Sequence, residues 1–478
     1  MPQAVDSYYT AGTVMDTLRV FPTLKKNCYT INNLNNGERI LLRASFFYGN
    51  YDGKHFAPTF DLLLDGNLWG KVNLSIYSED TILYREYIYD VNGNSTSLCL
   101  AQTLPDQLPL ISALELRSLG SKMYRHAGSN HVLSTTARFA LGSPKDRLWF
   151  AYGATGPEEQ IITSAASAID VSTAEDQPPK AVVQNAIIAT STRWRPALYT
   201  NLRGEFSIYI NIYFSEVLTL LKTPDEKRSI QLYMDNKPIL NPIVPPFGSV
   251  LQVYLANITA SPNNTFTLGA TSDSSLPPLI NAYEVYKVGD FLPHRTNRKD
   301  GLMALQMAFE VLVKWSGDPC LPSPYWWEWI ECSNSTAMPR VIALNLSGFG
   351  LSGSLPDFSA MDALQRIDLQ SNSFDGPIPK FFGSFPNLKL LVNDNCLNGM
   401  VCALSVDAPP PLMTPPPQPN APSLSPTSGT APPPDLFNTP PSNQALTPSP
   451  NGNKKIAEEL PIILEATIQI FLLSLLFF

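Results

Sequence analysis

Ser207-Ile208-Tyr209-Ile210-Asn211-Ile212-Tyr213-Phe214-Ser215 alternates without a break, with Ile208, Ile210, Ile212 and Phe214 on one face and Tyr209, Asn211 and Tyr213 on the other. A period of two belongs to an extended strand, because successive Cβ atoms point to opposite sides of the backbone; this composition predicts a half-buried one. Shorter runs read the same way at every second residue, in Ile230-Leu232-Met234 and Leu251-Val253-Leu255. Between such runs fall Asn36-Gly37, Asp52-Gly53, Asp65-Gly66 and Asn92-Gly93. These pairs tolerate positive φ and predict hairpins. Residues 10 to 287 therefore read as β-sandwich structure. A segment rich in Ala, Ser and Thr from Gly153 to Ala181 divides it, predicting domains over 1–142 and 143–290.

The pattern changes beyond residue 290. Leu302, Leu305, Met307, Ala308, Val311 and Leu312 recur at helical spacing and predict a connecting helix within 291–314. Past Met338 a repeat emerges: Leu344-Asn345-Leu346 with Leu351, Gly353 and Leu355-Pro356; Ile367-Asp368-Leu369 with Asn372, Phe374, Gly376 and Ile378-Pro379; then Leu388 to Leu391 with Asn395, Leu397 and Gly399. This is a short leucine-rich-repeat solenoid over 341–402, in which each L-x-L is a strand and the leucines fill the core. Ala343, Asn345 and Ser347, then Arg366, Asp368 and Gln370, are expected on its exposed face. Gly348-Phe349-Gly350-Leu351-Ser352-Gly353 imitates a dinucleotide fingerprint, but that motif opens a helix, whereas here Leu355-Pro356 and another repeat follow.

Composition narrows the class. Charged residues make up 15% and the net charge is −8, with no Lys/Arg-rich run, which argues against nucleic acid as partner. No G-x-S-x-G, H-E-x-x-H or phosphate-binding loop occurs, so no catalytic residue, metal or cofactor is assigned. The six cysteines (28, 99, 320, 332, 396 and 402) lack C-x-x-C spacing and favour disulfides over zinc. N-x-S/T sequons begin at Asn73, Asn94, Asn257, Asn263, Asn334 and Asn345, sites for glycans in the secretory route. Residues 403–455 are proline-rich, as in Pro415-Pro416-Pro417, and predict an extended stalk without a core. The end, 456–478, finishes in the apolar run Ala466 to Phe478, which is shorter than the roughly 20 residues of a spanning helix. With Asn451-Gly452-Asn453 and a polar spacer before it, the run matches a signal for a glycosylphosphatidylinositol anchor attached near Asn451; a retained transmembrane tail is the alternative. Met1-Pro2-Gln3-Ala4-Val5-Asp6 has neither a basic nor an apolar signal-peptide region, so the sequence is expected to start late.

Trp315-Ser316-Gly317-Asp318-Pro319-Cys320 and Trp327-Glu328-Trp329-Ile330-Glu331-Cys332 resemble the N-terminal cap of plant leucine-rich-repeat receptors, here over 315–340. Upstream, Thr17 to Pro22, Asn27-Cys28-Tyr29, Leu42 to Gly53, Phe60-Asp61-Leu62 and Ile111 to Arg117 are similar to the malectin-like domain of those receptors. Ile212 to Glu216 and Leu276 to Glu284 look like a second copy. No H-R-D, D-F-G or V-A-I-K string occurs. The resemblance is thus to malectin-like leucine-rich-repeat proteins without a kinase.

That resemblance implies a Cys320–Cys332 bond around a Trp326-Trp327 cap. Cys396–Cys402 is expected as a second local pair, and the partners of Cys28 and Cys99 stay open because the family's usual I-D-C-G strand is absent. Trp329 stands where the family has glycine and is expected to change the cap surface. In malectin, aromatic residues after the corresponding strand hold a glucose disaccharide, so Tyr48, Asn50, Tyr51 and Asp52 are the candidate ligand-binding residues. Rings offer flat apolar faces to sugar C–H groups, and the amide and carboxylate suit hydroxyls. The alternative is that Tyr48 and Tyr51 pack over the sheet end while Asp52-Gly53 turns. In the second copy Phe214 to Thr219 lacks the ring pair. The expected function is a cell-surface or apoplastic receptor-like protein that binds cell-wall carbohydrate or peptide and signals with a receptor kinase partner. A structural wall glycoprotein is the rival reading.

Overall fold

The computed structural model describes residues 2–9, 11–12, 14–128, 131–143, 148–219, 226–289, 300–334 and 339–397. The stalk, the apolar end, Asn451 and Cys402 lie outside the described residues, and with Cys402 goes the expected Cys396–Cys402 pair.

Strands Ala113–Ser118, Arg39–Phe46, Leu83–Asp90, Val132–Leu141, Ala282–Gly289, Phe206–Phe214 and Leu251–Ala260 form one central sheet in that spatial order. Two four-stranded sheets cover one face of it. The first runs Lys26–Asn32, Ser95–Gln102, Thr59–Leu64, Asn67–Asn73; the second runs Ala197–Leu198, Phe266–Ala270, Ile230–Met234, Lys237–Ile243. Ile40, Leu42, Ala44 and Phe46 meet Phe60, Leu62, Leu98 and Leu100 in the first core. Ile208, Ile210, Ile212 and Phe214 meet Ile230, Leu232, Phe266 and Leu268 in the second. Burying each large apolar side chain contributes roughly 1.5–3 kcal/mol before entropy is counted.

The two halves share hydrogen bonds. Strand Val132–Leu141 pairs with Leu83–Asp90 at Leu133↔Ile88 and Ser134↔Tyr87, and with Ala282–Gly289 along most of its length. Its Val132 belongs to the first core, its Ala137 and Leu141 to the second. Of the four turn signals, only Asp65-Gly66 closes a hairpin, between Thr59–Leu64 and Asn67–Asn73, with φ of 46° and 80° at the two residues. The other three join strands in different sheets, so they arch across the sandwich instead.

Phe206–Phe214 is not half-buried as its pattern suggests, for Tyr209, Asn211 and Tyr213 are as buried as its isoleucines. The cover comes from Leu119, Met123 and Tyr124 over Tyr209 and, over Tyr213, from the segment read as a separating loop together with its flanks. Strand Glu159–Thr163 lies inside that segment and pairs with Asn185–Ala189. Trp149, Ile169, Ala174, Val182 and Val183 pack against Tyr213 and Val250. Beneath this cover the central sheet carries a buried charge ladder. Arg43 Nε donates to Glu86 Oε1 (2.6 Å), Arg138 Nη1 to Glu86 Oε2 (2.7 Å) and Arg138 Nε to Glu284 Oε1 (2.8 Å). Glu284 also accepts from the hydroxyls of Tyr124, Tyr213 and Tyr286. Glu86 and Arg138 stand on adjacent strands, one on each side of the joint between the halves.

Helix Asp300–Ala308 buries Leu302 and Leu305, while Met307 and Val311, read as part of the same apolar face, are exposed. Parallel strands Val341–Asn345, Arg366–Asp368 and Lys389–Leu391 follow, one per repeat. The Asn372 and Asn395 amides bridge successive turns: Asn372 Nδ2 donates to the Leu346 and Leu369 carbonyls and Asn395 Nδ2 to those of Leu369 and Val392. Antiparallel strand Ile330–Cys332 closes the near end, and Glu331 opposite Ala343 buries that alanine, which the sequence placed on the exposed face. Cys320 and Cys332 are bonded. Trp315, Trp327 and Trp329 form the cap core, and Trp326 is 42% exposed. At 1% exposure Trp329 alters the core of the cap and not its surface.

Candidate ligand-binding loop of the first sandwich

Strand Arg39–Phe46 ends in Phe47 and Tyr48, and the chain then crosses to Thr59–Leu64 through a tight loop. Gly49 and Asn50 both adopt positive φ (48° and 43°). The Tyr51 N–H donates to the Tyr48 carbonyl and the Gly53 N–H to that of Asn50, which winds residues 48–53 into consecutive turns.

The four candidate residues are brought together, with different roles. Tyr48 is 2% exposed; its hydroxyl donates to Asp52 Oδ1 (2.6 Å) and accepts from the Phe56 N–H (3.2 Å). Burial and then the Asp52 contact push the Tyr48 phenol above its ordinary range. Asn50 is buried as well, its Oδ1 accepting from the His55 N–H at 2.9 Å. Tyr51 meets Tyr48 edge to face at 5.7 Å, and partial burial pushes its phenol up to about 12. Asp52 lies at the surface of the turn with Lys54 Nζ 3.7 Å away. Tyr48 and Asn50 thus hold the loop, leaving Tyr51 and Asp52 toward solvent.

Further groups gather here that the sequence reading missed. Phe56 is 57% exposed, and His55 Nδ1 stands 3.1 Å from both Glu79 carboxylate oxygens. From the N-terminal segment, the Tyr9 hydroxyl donates to Glu79 Oε2 at 2.6 Å, which raises that phenol to about 12. Tyr8, 84% exposed, lies edge to face with Tyr9 at 5.1 Å. His55 and Phe56 were within sight of the motif; Tyr9 and Glu79 carry no local signal. The assembled surface offers the rings of Tyr51, Phe56 and Tyr8 beside a carboxylate, an imidazole and an ammonium, the mixture that recognises a hydroxyl-rich ligand.

In the second sandwich the equivalent stretch is closed. Glu216 is fully buried and paired with Arg228 Nε at 2.8 Å, while the Val217 and Leu218 N–H groups donate to its Oε1. Such a carboxylate, buried and paired, is out of reach of a sugar.

Among the sequons, Asn94, Asn257, Asn263 and Asn334 are exposed, and Asn73 and Asn345 are half-buried. Asn345 donates to Glu331 Oε1 and accepts from Arg366, so the first repeat turn is already engaged in a polar set. Cys28 and Cys99, left without assigned partners by the sequence, face each other on neighbouring strands and are bonded. Among the described residues, no group of three His, Cys, Asp or Glu is placed to hold a metal, and no helix is long and apolar enough to cross a membrane.

Known proteins are similar to parts of this chain. In Arabidopsis thaliana, the protein named Probable LRR receptor-like serine/threonine-protein kinase At1g05700 is 32% identical over 380 residues, covering 75% of this chain and 43% of that protein. Uncharacterized protein At1g24485 from the same plant is 34% identical over 289 residues, covering 58% of this chain and 56% of that one. The chain therefore spans about two fifths of the length of the kinase relative. Among solved structures, the ANX1 ectodomain from Arabidopsis thaliana matches with a TM-score of 0.51 at 14% identity, over 60% of this chain and 88% of that one, a likeness of fold. A family profile described as Malectin-like domain matches residues 4–288, and the chain belongs to that family.

Proposed function

We propose that the chain is the ligand-recognising extracellular part of a receptor-like protein, and that the first sandwich binds a cell-wall oligosaccharide at the Tyr51–Phe56 surface. One observation carries the reading: exposed Phe56 and partly buried Tyr51 stand beside Asp52, His55 and Glu79 at the end of a rigid sheet. Support for the setting comes from relatives named as receptor-like kinases. On this proposal 1–142 and 143–290 act as tandem malectin-like domains, and 315–340 with 341–402 as a capped leucine-rich-repeat module. A peptide is the second ligand class, favoured by the polar set of Glu331, Asn345 and Arg366 on the repeat surface. A receptor kinase partner and attachment of the chain to the plasma membrane complete the proposal.

The test is an array of wall oligosaccharides probed with the full chain made in a secretory host. Saturable binding to one structural class supports the reading. A folded, glycosylated preparation that binds no oligosaccharide refutes the carbohydrate reading and leaves the peptide class to be screened.

A further inference from the structure

Trp315-Ser316-Gly317-Asp318-Pro319-Cys320 opens the repeat module in sequence, yet in space it packs on the first sandwich. Gly317, at φ 78°, lies over the Cys28–Cys99 disulfide: a Cβ there would stand 2.4 Å from Cys28 Sγ and 2.8 Å from Cys99 Sγ. No side chain fits that space, and the left-handed backbone favours glycine independently. From the sandwich side, Gly66 at the hairpin turn makes a matching approach, where a Cβ would lie 3.0 Å from the Cβ atoms of Asp318 and Leu321.

Polar contacts frame this apolar meeting. Ser316 Oγ donates to the Cys28 carbonyl at 3.1 Å, and Lys26 Nζ donates to the carbonyls of Asp318 (2.5 Å) and Leu321 (3.0 Å). Tyr325 donates its hydroxyl to Asp61 Oδ2 at 2.9 Å while its ring packs on Leu63, Cys99 and Ala101. Lys26 and Asp318 are both buried here. Asp318 shapes the loop itself, its Oδ1 accepting from the Cys320 and Leu321 N–H groups at 3.0 Å each. Burying a lysine ammonium costs desolvation that these carbonyl contacts offset, so the closed interface requires them to be kept.

We propose that this hexapeptide is an interdomain latch with the Cys28–Cys99 disulfide as its seat, so that the first sandwich and the repeat module present one rigid composite surface. The same motif closes the repeat cap through Cys320 and docks it through Ser316, Gly317 and Asp318. The latch does not depend on the carbohydrate reading, because its test measures docking without ligand.

A protease site inserted between Gly289 and Asp300 of the full chain lets the two parts be cut and then followed by size-exclusion chromatography. The wild-type parts are expected to co-elute after cleavage. Gly317→Val, which drives methyl groups into the disulfide, and Lys26→Met, which removes both carbonyl contacts, are expected to weaken reassociation at least roughly tenfold. Near-ultraviolet circular dichroism of the uncut variants verifies folding. Should Gly317→Val fail that check, Lys26→Met alone decides. Separation of the wild-type parts on cleavage, or a folded Lys26→Met protein whose parts hold together as tightly as wild type, overturns the latch.

Discussion

Arg138→Met isolates the buried charge ladder that joins the two sandwiches. Arg138 is 1% exposed and contacts Glu86 at 2.7 Å, Glu284 at 2.8 Å and the Tyr286 hydroxyl at 2.9 Å. Methionine replaces the aliphatic stem and leaves the smaller space of the guanidinium head, so the loss is mainly electrostatic with a minor cavity contribution. Removing one partner of a buried ion pair typically costs about 3–5 kcal/mol, because the remaining charge stays buried without compensation. Two carboxylates lose a partner here, yet the cost should not double. Glu86 keeps the Arg43 guanidinium at 2.6 Å, and Glu284 keeps three phenol donors. The expected loss is therefore about 3–5 kcal/mol in total at pH 7, a large part of a typical domain's stability. Adding Glu284→Gln to Arg138→Met should recover at least half of the loss. Urea titration followed by tryptophan fluorescence reads this, since Trp149 lies 5.9 Å from the Arg138 guanidinium. A single-variant loss below about 1 kcal/mol, or a double variant no more stable than the single, would refute the argument.

Burial, opposed by the Tyr124 N–H, raises the Asp176 carboxyl from 3.8 to about 7. The folded state therefore holds a proton that the unfolded chain releases: the contribution is complete below about pH 4 and is lost as pH rises through 7. At about 1.4 kcal/mol per unit the ceiling is roughly 4 kcal/mol, and Asp176→Asn should flatten the slope of melting temperature against pH between about 4 and 7. An unchanged slope contradicts the assignment. Trp329 buries an indole N–H that has no partner among the described residues, so Trp329→Phe should cost less than about 1.5 kcal/mol, against about 3–5 for Trp329→Ala; equal losses in denaturant titrations argue against a packing role. Tyr48→Phe keeps the ring and deletes the contacts to Asp52 and Phe56, which should lower stability by about 1–2 kcal/mol. No change in melting temperature would show that the loop does not depend on that hydroxyl.

Strands were legible because period-two alternation reports a local property of the chain. What alternation leaves open is the second face. Tyr209, Asn211 and Tyr213 read as a polar, half-wet surface; the return of residues 148–183 covers Asn211 and Tyr213, and Leu119, Met123 and Tyr124 cover Tyr209. The ladder was hidden for the same reason. Arg43, Glu86, Arg138 and Glu284 occupy the positions of solvated charges on four different strands, and nothing in one strand announces its neighbours. Turn dipeptides specify positive φ but not which strands the turn joins, so Asn36-Gly37 and Asn92-Gly93 arch between sheets where hairpins were expected. At the candidate site the motif located the loop, since Tyr48 to Asp52 are consecutive. It misjudged which ring is available, because the inward or outward orientation of Tyr48 depends on Asp52 and Phe56 folding back over it. Tyr9 and Glu79 join through contacts between segments far apart in sequence, beyond the reach of any pattern.

The central claim is recognition at the Tyr51–Phe56 surface. Its most direct measurement is a calorimetric titration of the oligosaccharide selected on the array into wild type, Phe56→Ala and Tyr48→Phe proteins. Loss of an exposed stacking ring should weaken binding roughly tenfold in Phe56→Ala with the melting temperature unchanged, as for a truncated contact worth about 1.4 kcal/mol. Tyr48→Phe, whose ring lies beneath the surface, should bind within roughly threefold of wild type despite its lower stability. Full affinity in Phe56→Ala, with the loop still folded, would contradict the account and place the ligand elsewhere on the molecule.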